Sequence, residues 1–147
     1  VSDNLIEKFI IEKSSWILDR IKKINPNKSY LSPIESRQLY LKHKEMARVF
    51  AEKRAKYFSE FYNLSFNRIA IRNQKTCWGS CSRKGNLNFN YKIIFLSKHL
   101  ADYVIAHEIC HLQEMNHSRN FWNLLAKSIP DYYKLRKELK NQKRVSP

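Results

Sequence analysis

Ile6, Phe9, Ile10, Ile17, Ile21 and Ile24 recur at helical spacing, which predicts a first helix from Asp3 to about Ile24 that stops at the sequence NPN. The next start signal is SPIE. Ser32 reads as the N-cap, Pro33 as the first helical residue and Glu35 as the side chain that closes a capping box. From there a helical pattern, broken at most once, reaches about Tyr62. Lys42, Lys44, Lys53, Arg54 and Lys56 charge its outer face.

The period then shortens. RIAIR, residues 68–72, alternates between charged and apolar positions as a half-buried strand does. NLNFNY, residues 86–91, alternates more strictly, with Leu87, Phe89 and Tyr91 on one face and Asn86, Asn88 and Asn90 on the other. Between them lies TCWGSCSRKG, which holds both glycines of the chain. Gly85, after Arg83 and Lys84, suits a hairpin turn. Gly79, inside a strand of its own, marks a bulge or a place where another backbone comes close.

After Ser97, an N-cap, the helical period returns, with Leu100, Tyr103, Val104, Cys110 and Leu112 at the apolar positions and Asn116 as a stop signal. HSRNFWNLLAKSIP predicts a further helix that ends before Pro130, and DYYKLRKELKNQKR a short basic helix that frays into the C-terminus. The elements are a small sheet of about three strands, a helix after it that carries the histidines, and basic helices at both ends. The organisation expected is a helical segment over 1–62 and a core over 63–147, joined in one compact domain.

Composition narrows this picture. A chain of 147 residues, 43% apolar and 13% aromatic, buries a core without staples. No apolar run approaches the roughly 18 residues of a spanning helix, so no membrane partner is expected. Three cysteines, Cys77, Cys81 and Cys110, are an odd number and read as thiols of a reducing compartment. No secretory signal is visible at the start, and the expected location is the cytoplasm. The formal charge of +15 invites nucleic acid or another polyanion, although 18 of the 28 basic residues are lysines, which mostly solvate surfaces. From Phe61 to Ala101 there are seven basic residues and no acidic one, so the sheet presents a positive face.

The chemistry lies in HEICHLQEMNH, residues 107–117, which gathers three of the five histidines. His107 and His111 stand four apart in a helical segment, so both rings leave one face a single turn apart and can share a zinc ion. Glu108 is about 100° further round and is placed to reach a water at the metal. A catalytic zinc needs a third protein ligand and an open position. His117, beyond the turn at Asn116, is the candidate, and Ser118 then starts the next helix. With this composition an accidental HExxH has odds of about one in a hundred, and a third histidine six residues on lowers them about thirtyfold. A structural zinc would want a fourth cysteine or histidine, and Cys110 points away from the pair. A second site at Cys77 and Cys81 lacks partners at matching spacing.

WGSCS followed by YVIAHEICHLQEMNHSRNFW resembles the YgjP-like predicted metallopeptidases, relatives of the WLM and SprT-like minimal zincins, over roughly Phe66 to Leu139. The resemblance implies an α+β fold with a zincin core, the HExxH helix packed on the small sheet, in which His107, His111 and His117 hold one zinc ion and Glu108 is the catalytic acid/base. The spacing also equals the metzincin pattern, but Glu114 stands where that pattern has glycine. Without that glycine the helix is expected to run past residue 114 before His117 returns.

These readings converge on a zinc metallopeptidase whose polypeptide substrate pairs with an exposed strand edge at Trp78, Gly79 and Ser80. Trp78 as ordinary core is an equal reading there. Glu114 and backbone carbonyls are candidates to orient the histidines. Tyr91, Tyr103 and Arg119 are candidates to stabilise an oxyanion. Phe121 and Trp122 are expected to pack their helix on the active-site helix. Two other functions stay open: a metal-dependent hydrolase of nucleotide phosphoanhydrides, and a basic nucleic-acid-binding module with structural zinc.

Overall fold

The computed structural model describes residues 31–145, so the helix expected over residues 3–24 lies outside the described residues. Four helices, three strands and one 3-10 helix follow in the order α1 (Pro33–Tyr62), β1 (Arg68–Arg72), β2 (Gly79–Cys81), β3 (Asn86–Asn90), the 3-10 helix (Tyr91–Phe95), α2 (Lys98–Cys110), α3 (Arg119–Ala126) and α4 (Tyr132–Val145). This is the expected α+β class with a three-stranded sheet.

The capping box forms as SPIE predicts. The Glu35 N–H donates to Ser32 Oγ at 3.2 Å, and the Ser32 N–H donates to Glu35 Oε2 at 2.9 Å. The helix runs unbroken to Tyr62 and ends on Asn63, which takes the left-handed conformation at φ 54°. Its buried stripe is His43, Ala47, Ala51, Ala55 and Phe58. Three alanines at spacings of four let the backbone of α1 approach its neighbours closely. Tyr40 donates to the Ile71 carbonyl of β1 at 3.0 Å. Arg54 grips Asp102 of α2 through two nitrogens, at 2.6 and 3.0 Å.

The strand order is β1-β3-β2, with β1 parallel and β2 antiparallel to β3. Gly85 closes the β2–β3 hairpin at φ 75°, and its N–H donates to the Ser82 carbonyl at 2.9 Å. Leu87 and Phe89 are fully buried. The asparagines of the other face are not left to solvent. Asn90 Nδ2 donates to the Gln74 and Cys77 carbonyls at 2.7 and 3.2 Å, which pins the loop that leads into β2. Asn88 Nδ2 donates to Ser80 Oγ at 3.2 Å. Tyr91 leaves the strand and opens the 3-10 helix, its ring still buried.

Helix α2 is the centre of the fold, with α1, β2, α3 and α4 all against it. Leu100, Ala101, Val104, Ile105, Ala106, Ile109 and Cys110 are buried around most of its circumference, as a helix without a solvent face requires. Cys110 is thus core, in line with its sequence position. No helix among the described residues is long and apolar enough to cross a membrane.

Candidate active site

Helix α2 ends at Cys110, with His111 as its C-cap. It does not run past residue 114. The chain leaves through a tight turn in which the Leu112 and Gln113 N–H groups donate to the Ile109 and Cys110 carbonyls at 3.0 and 3.1 Å. Such a turn needs no left-handed residue, which is why glycine at position 114 is dispensable. His111 fastens the turn as well, since its Nδ1 lies 2.9 Å from the Glu114 carbonyl oxygen. A carbonyl only accepts, so Nδ1 carries the proton and Nε2 is left with its lone pair. Of the orienting groups expected, the carbonyl of Glu114 is the one that acts here.

The turn carries the chain back so that His117 reaches the helix face. His107 Nε2 lies 3.2 Å from His111 Nε2 and 2.9 Å from His117 Nε2. A neutral imidazole nitrogen has one hydrogen or one lone pair, so His107 Nε2 cannot form good hydrogen bonds with both. A tetrahedral zinc ion bound at about 2.0–2.1 Å sets its ligand nitrogens about 3.3 Å apart. The two spacings to His107 are within a few tenths of an ångström of that, and the ligand atoms of all three histidines lie within 4.8 Å of one another. Among the described residues these three histidines form the one group of three or more His, Cys, Asp or Glu side chains placed to hold a metal ion. Cys77 and Cys81 do not join it; their thiols donate to Gln74 Oε1 and to the Ser82 carbonyl at 3.3 and 3.5 Å.

Glu108 is 7% exposed and faces β2. The close approach at Gly79 comes from this carboxylate rather than from another backbone: a Cβ on residue 79 would lie 2.8 Å from Glu108 Cγ and 3.0 Å from Oε1. The absent side chain is the space that Glu108 occupies. The carboxylate also reaches Cys81, whose thiol is pushed up to about 11, first by burial and then by the charge of Glu108. Gly79→Ala is therefore expected to shift Glu108 and lower turnover at least tenfold while metal affinity stays within twofold. Kinetics beside a zinc titration check this.

Aromatic rings hold the histidines from behind. Phe121 is fully buried and its centroid lies 4.6–4.8 Å from those of all three. Trp122 stacks on His117 at 5.6 Å and 23°, and Tyr132 stacks on Trp122 at 5.0 Å and 17°. Tyr103 packs edge-on against His107 at 5.8 Å, and burial above all pushes its phenol up to about 12. Of the three oxyanion candidates, Tyr103 alone has a ring contact with a site histidine; Tyr91 packs on Tyr40 and Phe95 in the core. Two residues next to the site had no signal in the local sequence. Tyr132 and Arg136 reach it from α4, with the Arg136 guanidinium 5.0 Å over the Trp122 ring.

The YgjP-like metallopeptidase domain family matches residues 28–142, which takes in α1 and everything after it up to the last residues of α4. The chain belongs to this family. Among solved structures it is similar to the crystal structure of the metallopeptidase zymogen of Pyrococcus abyssi abylysin, at a TM-score of 0.58 and 19% identity, over 63% of this chain and 93% of that one. At that identity the likeness speaks for the fold alone. No curated protein matches the chain in sequence.

This YgjP-like chain has β2 at the edge of its sheet, paired on one side only with β3. The Trp78 side chain belongs to the hydrophobic core, so it is the backbone around Gly79 and Ser80 that borders the site. His107 is held neutral: burial, then the neighbouring His111, His117 and Arg136, pull its pKa down to about 3. His117 is lowered as well, first by burial. Below pH 6.5 the unfolded chain protonates His107 while the folded metal-free chain does not, so stability falls as the pH drops from 6.5 toward 3. Thermal melts of the chelated protein are expected to show this loss, up to about 1.4 kcal/mol per pH unit for His107.

Proposed function

We propose that this protein is a zinc-dependent metallopeptidase that uses His107, His111 and His117 to hold one zinc ion through their Nε2 atoms and Glu108 as general base. The observation that carries the reading is the convergence of three Nε2 atoms at 2.9 and 3.2 Å beside a buried carboxylate. Zinc supplies Lewis acidity, polarising a carbonyl and bringing the pKa of water near neutrality. The protein's own part is proton handling and positioning. Glu108 takes the proton of the attacking water and delivers it to the leaving amine. Its burial against Gly79 fixes the carboxylate. His111 is kept in the metal-binding tautomer by the Glu114 carbonyl. Tyr103 stays protonated at neutral pH and can donate to a developing oxyanion.

The substrate in this reading is an extended polypeptide that pairs with the free edge of β2 at Trp78, Gly79 and Ser80, main chain to main chain. Three free thiols support a reducing, cytoplasmic setting. The net charge of +15 supports contact with polyanions away from the site. The test is cleavage of an unstructured polypeptide by the zinc-loaded protein. Cleavage that a chelator stops and added zinc restores is the expected result. Phosphate release from nucleotides with no cleavage of polypeptide would point to the phosphoanhydride chemistry instead.

A further inference from the structure

We infer that Arg136 is a specificity-determining residue that binds a carboxylate of the substrate beside the three histidines, so that the peptides preferred carry a negative charge next to the scissile bond. This rests on the peptidase reading and narrows its substrate class. The geometry is a stack of rings that leads outward from the site: His117, then Trp122, with Tyr132 packed on Trp122 and the Arg136 guanidinium over the indole. Tyr132 and Arg136 are four apart on α4, so they leave the helix on one face, one turn apart. That face is the one turned to Trp122, which stacks on His117.

The chemistry of Arg136 suits a ligand rather than the fold. Its side chain is exposed, and no ion pair holds it among the described residues. Glu138, two residues on, leaves the helix about 200° away. A guanidinium over an indole is held by its charge and keeps its in-plane N–H donors for a bidentate carboxylate. The stretch from Phe61 to Ala101, which includes β2, carries no acidic residue, so the acidic group at the site is Glu108, buried against Gly79. Lysine in place of Arg136 would keep the charge but lose the fork.

The carboxylate has two sources, an acidic side chain or a free C-terminus, and one experiment separates them. Zinc-loaded Glu108→Gln protein is titrated with fluorescent, otherwise neutral ten-residue peptides, and binding is read by anisotropy. One set is amidated and carries a single Glu moved along the sequence; a second has a free C-terminus; the reference is amidated with Gln. At least tenfold tighter binding of one carboxylate peptide than of the reference is expected. Adding Arg136→Ala should cut that preference to within twofold. Arg136→Lys should restore part of it, and Lys140→Ala, one turn further along α4, should leave it intact. Internal Glu as the preferred peptide assigns the site to acidic side chains, and the free C-terminus assigns it to chain ends. Equal binding of all peptides, binding of none, or a preference that survives Arg136→Ala overturns the inference. The same peptides given to the wild type keep the two proposals apart. Cleavage without the preference removes only the carboxylate site, whereas no cleavage of any peptide counts against the peptidase reading itself.

Discussion

Glu108→Gln is expected to lower peptide turnover by about a hundredfold to ten-thousandfold while the protein still binds one zinc ion per chain. Glutamine keeps the volume that fills the space at Gly79, so the packing between α2 and β2 survives. What is lost is a group that can take a proton and give it back. Because the proposed ligands are the three histidines and not Glu108, affinity for zinc should change by less than threefold. Single-turnover cleavage assays and a zinc titration of the same preparation check both halves. Loss of zinc along with activity would move Glu108 from base to ligand.

His107→Ala and His117→Ala are expected to part company. Both remove a nitrogen that faces the proposed ion, and both should abolish cleavage. His107, however, is packed among Tyr103, Phe121 and Trp122. Its removal opens a cavity and should cost about 2–4 kcal/mol of stability even without metal. His117 is exposed at the edge of the stack, and its removal should cost the metal-free protein less than about 1 kcal/mol. Denaturation of the two chelated variants beside the wild type separates ligand loss from cavity formation.

Much of this architecture can be read from local pattern. The capping box at Ser32, the strand RIAIR, the alternation of NLNFN and the N-caps Ser97 and Ser118 are all short-range signals, and each takes the form its residues dictate. The juxtaposition of His107 and His111 follows from helical geometry alone. What escaped depends on distances between elements. Gly79 reads as a bulge because the sequence does not say that Glu108 lies 2.8 Å from where a Cβ would be. α2 ends earlier than expected because a missing glycine does not force a helix to continue; the turn uses i→i−3 hydrogen bonds and the His111–Glu114 contact instead. Arg136 lies 19 residues beyond His117, and only the packing of α4 against α2 brings it to the site. Asn90 looks solvent-facing by period, yet the loop before β2 is tied to it.

The most direct measurement is the zinc stoichiometry and affinity of the purified wild type beside His117→Ala. One ion per chain in the wild type, with affinity at least a hundredfold weaker in the variant, is the expected result for three imidazole ligands around one ion. Equal stoichiometry and equal affinity in the two proteins would contradict it.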